Sequence, residues 1–156
     1  MGIDPGISAT GFGIIIDRKE PVYGTIRPKE REYYKRILAI CEKIKSLIVQ
    51  YKPDVICLEK AFFQKNVASL IKISELRGSI IFLLLENGVR FIEYTPAQIK
   101  LVTTGNGRAS KNQVRFVIER ILLKNNSRIS HHAVDALAIA YTAQRKLRLF
   151  KWQSVK

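Results

Sequence analysis

Three carboxylates stand where a strongly basic chain has no evident need of them. Asp4 follows the apolar start Met1-Gly2-Ile3, Glu59 closes the apolar run 55–58, and Asp135 is set among Ala133, Val134, Ala136 and Leu137. An ionised carboxylate beside apolar segments is costly unless something positive neutralises it. Arg or Lys partners would satisfy each acid taken singly. As a set, the three fit another chemistry: hard oxygen donors that gather divalent cations, with the cations relieving the mutual repulsion of the acids. Two such ions about 3.5 to 4 Å apart can activate a water and stabilise the departing oxygen in phosphodiester hydrolysis. The two histidines, His131 and His132, lie four and three residues before Asp135, so on a helix either can share its face. His132 is the favoured fourth member, and a surface histidine pair at a helix start is the plain alternative.

For these residues to meet, distant stretches of chain must converge. Short β-type runs at residues 1–4, 11–16 and 22–26, with turns at Pro5-Gly6 and 17–21, predict an antiparallel meander. Over residues 29–51, Tyr34, Ile37, Leu38, Cys41, Ile44, Leu47 and Ile48 recur at three- and four-residue spacings, which predicts an amphipathic helix stopped by Pro53. Residues 54–59 then form a buried parallel strand, since their middle is continuously apolar. If the first strand lies beside this one, Asp4 and Glu59 share a sheet edge, where a helix bearing Asp135 can close the site.

A second helix spans 66–85 and ends near Asn87-Gly88. Its second half is apolar on nearly every face, so it lies central in the fold or faces another subunit. Residues 90–94 give a further strand, and Thr95-Pro96 starts a helix with a capping hydroxyl and a first-turn proline. A polar, glycine-bearing loop at 103–112 leads to helices at 111–123 and 130–145. The expectation is a single α/β domain over 1–145 built on a mixed sheet, followed by a mobile basic tail at 146–156.

Composition narrows the partners. The 156 residues are 47% hydrophobic, enough for one buried core and too few for two ordinary domains. Twenty-seven Lys and Arg against 13 Asp and Glu give a net charge of +14. That balance implies a polyanionic partner, with nucleic acid first, because clustered cations release the counterions condensed on a phosphate backbone. The bland alternative is a basic, soluble protein without such a partner. Cys41 and Cys57 fall in a helix and a strand and read as buried apolar residues in a reducing compartment. No signal pattern precedes the first motif, and the apolar run 80–85 is far shorter than the ~20 residues of a membrane span, so a soluble cytoplasmic protein is expected.

Phe62 and Phe63, in a polar stretch with Lys65 and Asn66, offer rings on which bases can stack, each worth ~1 to 3 kcal/mol. One ring capping the sheet edge is the alternative. Lys111 and Arg108 can neutralise phosphate without reading sequence, unless they merely line a solvated loop. That loop is no nucleotide-binding P-loop, whose lysine follows glycine directly. Asp4-Pro5-Gly6 is also similar to the phosphate loop of actin-like ATPases, but 156 residues cannot supply the second half that fold needs.

Six segments taken in order carry a family resemblance: Gly2-Ile3-Asp4-Pro5-Gly6 with 10–13, residues 58–66, Glu75-Leu76-Arg77-Gly78, Tyr94-Thr95-Pro96 with Gln98 and Lys100, Gly105-Asn106-Gly107-Arg108-Ala109 with Lys111, and residues 132–140. Together they resemble the RuvC family of bacterial Holliday-junction resolvases over nearly the whole chain. The resemblance implies a ribonuclease-H-like fold, a mixed five-stranded sheet flanked by helices. It also implies a twofold homodimer that nicks two opposing strands of four-way junction DNA and leaves 5′-phosphates.

The family's catalytic and metal-binding positions would fall on Asp4, Glu59, His132 and Asp135. Phe62 would stack on unpaired bases, Lys111 would approach the scissile phosphate, and Lys100 and Arg108 would contact the backbone. A branch-migration motor, RuvA and RuvB, is the implied partner. The third acidic position, usually aspartate, is here His132, a variation some members share. Magnesium prefers oxygen while manganese accepts imidazole, so a two-ion site for Mg2+ that tolerates Mn2+ is expected, with activity falling as His132 protonates. Another ribonuclease-H-like nuclease of the YqgF-like kind, or a junction-binding protein without catalysis, are the competing expectations.

Overall fold

The five apolar runs expected as strands form one mixed sheet. The computed structural model describes residues 1–60, 66–123 and 129–153, with side chains as far as residue 147. Strands β1 (Gly2–Asp4), β2 (Thr10–Ile14), β3 (Val22–Ile26), β4 (Ile56–Glu59) and β5 (Phe91–Tyr94) lie in the order β3-β2-β1-β4-β5. β1, at the centre, is antiparallel to β2 with Ile3 opposite Phe12, and parallel to β4 with Ile3 opposite Leu58. β3 joins β2 antiparallel and β5 joins β4 parallel.

Both faces of the sheet are covered, which is why β4 is apolar along its length. Ile56 and Leu58 point into a core shared with α1 (Tyr33–Tyr51) and α2 (Val67–Glu86), beside Ile40, Ile44, Leu76 and Ile80. Cys57 points the other way, into a core shared with α3 (Pro96–Thr104), α4 (Lys111–Leu122) and α5 (His131–Gln153), beside Ile99, Ile118, Val134 and Leu137. Neither cysteine is in a disulfide. No helix among the described residues is long and apolar enough to cross a membrane.

Several element ends differ from the sequence expectation by one or two residues, as at β2 and β4, and three differences have a clear local reason. The first helix starts at Tyr33 rather than residue 29, because Glu32 is extended and supplies no side-chain cap. The polar loop narrows to 105–110. Thr103 and Thr104 donate their hydroxyls back to the Ile99 and Lys100 carbonyls and stay helical, while Ser110 and Gln113 form a capping box that opens α4. The last helix runs past residue 145 to Gln153, since residues 146–153 contain neither Gly nor Pro to stop it.

α5 lies unusually close to β1 and β2, and glycines make room for it. A Cβ added at Gly2 would strike the Ala136 carbonyl oxygen, and one at Gly11 would strike that of His132. At Gly13 it would sit 2.8 Å from the Leu137 amide nitrogen. With Ala133, Ala136 and Ala140 buried on the helix side, backbone meets backbone. That approach lays His132 and Asp135 over the end of β1.

Candidate active site

Asp4 and Glu59 are the last residues of β1 and β4. The pairing of Gly2 with Cys57 and Ile3 with Leu58 brings the next two residues, Asp4 and Glu59, side by side. Strand alternation aims both side chains at the face that α5 covers, opposite to Ile3 and Leu58. Thr10, fully buried, closes the turn after Asp4: its hydroxyl donates to the Gly6 carbonyl at 2.8 Å and accepts the Gly6 amide at 3.2 Å.

On α5 the two histidines part. His132 Nδ1 lies 2.8 Å from Asp4 Oδ2, whereas His131 Nδ1 lies 3.4 Å from the Arg115 guanidinium of α4. An ionised carboxylate can only accept, so the pair assigns the Nδ1 proton to His132 and makes Nε2 its acceptor nitrogen. Arg115 also donates to the Ile129 carbonyl at 3.0 Å and to Glu119 at 2.8 Å, which fixes the entry to α5.

The acids are poised against one another. Burial raises the Asp4 carboxyl above its ordinary value; the His132 hydrogen bond opposes this and the Asp135 charge adds to it. Burial likewise raises Glu59, helped by the charges of Asp4 and Asp135 and opposed by Lys111 and Arg77. Lys111 Nζ stands 3.7 Å from Asp135 Oδ2 with its side chain 86% exposed. Glu59, Asp135, Lys100 and Lys111 line one cleft floored by Ile99, Val114 and Ile139.

Three carboxylates and an imidazole are a donor set suited to divalent cations. As they stand, no three His, Cys, Asp or Glu side chains among the described residues are gathered closely enough to enclose an ion. Asp4 turns Oδ2 to His132, which leaves its Oδ1 for an ion, whereas Asp135 turns Oδ2 to Lys111 and must exchange that ammonium for a cation.

Of the residues expected to touch nucleic acid, Lys100 and Lys111 reach the acidic cleft. Arg108 is exposed on the 105–110 loop, which is tied by turns through Thr104 and Asn106. Asn66 accepts the Ser69 amide at 3.2 Å as the cap of α2. Phe62, Phe63 and Lys65 lie outside the described residues.

Sequence reasoning missed Arg77. It is 8% exposed, donates to the main-chain carbonyl of Glu59, and pairs with the Glu93 carboxylate of β5. The available signal was the only arginine of the helix, standing where its nearly all-apolar second half begins.

Acids at the adjoining ends of two parallel central strands, under a helix laid across a β3-β2-β1-β4-β5 sheet, define a ribonuclease-H-like nuclease. Known proteins place it within that class. The family described as Crossover junction endodeoxyribonuclease RuvC matches residues 1–143. A protein of that name from Petrotoga mobilis is 39% identical, covering 97% of this chain and 96% of its own. The Thermus thermophilus RuvC structure superposes with a TM-score of 0.81 at 30% identity, covering 95% of this chain and 94% of its own. T. thermophilus RuvC in complex with Holliday junction substrate gives 0.84 at 26% identity, covering 95% and 93%. The chain belongs to the RuvC family of crossover junction endodeoxyribonucleases.

Proposed function

We propose that this chain resolves four-way DNA junctions by metal-dependent phosphodiester hydrolysis, nicking two opposing strands as a homodimer. The observation that carries the reading is the side-by-side placement of Asp4 and Glu59, with Asp135 of α5 near enough to raise both carboxyls. Asp4, Glu59, Asp135 and His132 would hold the ions, two of them in this reading, with Mg2+ as the expected metal and Mn2+ accepted through the imidazole. Bound ions supply an activated water and charge for the departing oxygen.

The remaining steps belong to side chains of this chain. His132, its Nδ1 proton held by Asp4, has Nε2 left as the nitrogen that would meet an ion. Lys111 is the cation that DNA displaces from Asp135: its exposed ammonium exchanges a carboxylate for a phosphate, with Lys100 beside it in the cleft. Arg108 adds a backbone contact from its exposed loop. Phe62 and Phe63 are assigned to unpaired bases and Lys65 and Asn66 to the strand beside them, on the family resemblance and on their residue types.

The dimer is assigned to α2, whose Val67, Ile71, Phe82 and Leu85 are more than half exposed although the helix also fills the core through Leu76, Ile80 and Leu84. A solvent-facing apolar stripe of this kind marks an interface. The branch-migration motor, RuvA and RuvB, rests on the family resemblance alone, and cytoplasmic residence on the sequence reading of the cysteines and apolar runs.

The deciding experiment incubates a synthetic four-way junction with the protein and Mg2+ or Mn2+, beside an Asp4→Asn variant. Paired nicks by the wild type, with binding kept and cutting lost in the variant, support the reading. Equal cutting by both overturns it, and binding without cutting by either would favour a non-catalytic junction protein.

A further inference from the structure

Glu59 ends a strand whose ladder is interrupted by a proline. Along β4 the backbone alternates: the Cys57 amide donates to the Met1 carbonyl of β1, while the Ile56 and Lys60 amides donate to the Arg90 and Tyr94 carbonyls on the β5 side. Glu59 therefore turns its carbonyl toward β1. In a continued parallel ladder the donor to that carbonyl is the amide of the residue after Asp4. That residue is Pro5, which has no N–H.

Arg77 supplies the donor. One guanidinium nitrogen reaches the Glu59 carbonyl and another reaches the Glu93 carboxylate on β5. The peptide joining Glu59 to Lys60 is thus held at both ends, by Arg77 at its oxygen and by the Tyr94 carbonyl at its nitrogen. Burying a guanidinium at 8% exposure is a poor way to attach α2, because well-packed apolar residues in place of a buried ion pair are often neutral or stabilising. Leu76, Ile80 and Leu84 already attach it. What an apolar residue cannot do is satisfy the carbonyl that Pro5 orphans. Lysine could not do so while also holding Glu93 with the same planar fork.

We infer that Arg77, steadied by Glu93, is a positioning residue for Glu59: its guanidinium stands in for the missing amide of Pro5 and fixes the peptide that aims the Glu59 carboxylate at Asp4. The inference rests on the reading of Glu59 as an ion ligand. It ties three separated sequence features, Asp4-Pro5, Arg77 and Glu93, to one carboxylate.

The test titrates Mn2+ into the DNA-free protein, following the free ion by electron paramagnetic resonance, and measures single-turnover cutting of a pre-bound junction. Arg77→Met is expected to weaken Mn2+ binding at least fivefold and slow cutting at least tenfold, with junction binding in chelator unchanged. Adding Pro5→Ala, which restores an amide donor, should recover a substantial part of both losses, an effect that a general packing role for Arg77 would not produce. If Arg77→Met does not fold, Arg77→Lys and Glu93→Gln carry the same test with smaller losses expected. Wild-type Mn2+ affinity and cutting rate in the folded Arg77 variants, beside an inactive Glu59→Gln, overturn the positioning role alone. Undiminished Mn2+ binding and cutting by Glu59→Gln itself overturn the assignment of Glu59 on which it rests.

Discussion

His132 Nδ1 and Asp4 Oδ2 stand 2.8 Å apart although 128 positions separate them. The contact links the last helix to the first strand at the point where the chain's acids gather. With Asp4 ionised, it also places the imidazole proton on Nδ1 and leaves Nε2 as the acceptor nitrogen. A residue that contributes one neutral nitrogen favours manganese more than a carboxylate would. Replacing His132 with Asp should therefore raise the Mg2+-supported rate relative to the Mn2+-supported rate by roughly tenfold, the scale on which ligand-shell changes act. Single-turnover cutting in each metal measures the ratio, and an unchanged ratio would count against His132 as a ligand.

The raised carboxyls of Asp4 and Glu59 make stability and activity respond oppositely to pH. Between their ordinary values of 3.8 and 4.5 and the higher folded ones, the native chain holds protons that the unfolded chain has released. Stability of the metal-free protein is therefore lost as pH rises through that window, whereas cutting is gained as the acids ionise. Glu59→Gln removes one of these buried acids, so in chelator at pH 7 its Tm should exceed that of the wild type. The gap should close at pH 4. Added Mn2+ should raise the wild-type Tm more than the variant's. A Glu59→Gln protein that melts below the wild type in chelator at pH 7 would contradict this account.

Much of the architecture was legible because its signals are local. The apolar run ending in Glu59 has the composition of a strand covered on both faces. Thr95-Pro96 with Gln98 carries its capping box in the sequence, and that box is present. Where a stop or start signal was missing, periodicity overran or fell short, as at Glu32 and beyond residue 145. Arg77 was not legible for a different reason. Its role depends on the register that sets Pro5 opposite the Glu59 carbonyl and on Glu93 arriving from β5. No spacing within α2 encodes either fact. The division of labour between His131 and His132 likewise depends on the rotation of α5 over β1, which Gly2 and Gly11 permit.

Those glycines give a prediction of their own. At Gly11 a methyl group would meet the His132 carbonyl, which is backbone and cannot swing aside. Gly11→Ala should cost about 3 kcal/mol, the upper range of overpacking, and should displace His132 from Asp4. Gly107→Ala, whose nearest neighbour would be 3.4 Å away, is the control and should change stability little. Urea denaturation of the two variants measures the difference, and equal midpoints would refute the close seating of α5.

If the exposed stripe on α2 is the subunit contact proposed above, a substitution on it separates dimerisation from folding. Phe82 is 68% exposed while Leu83 and Leu84, its neighbours, are buried. A charge at Phe82 therefore leaves the core intact and is desolvated only if a second copy covers the stripe. Phe82→Asp should melt like the wild type yet sediment as a monomer at concentrations where the wild type is a dimer. On a supercoiled plasmid with an extruded cruciform, paired nicking converts the circle directly to a linear molecule, so the variant should accumulate nicked circles instead. Sedimentation as a dimer with linear product retained would place the subunit contact elsewhere. A monomer that still makes linear product directly would show that the two cuts need no partner, because one active site could then serve both strands within a single encounter.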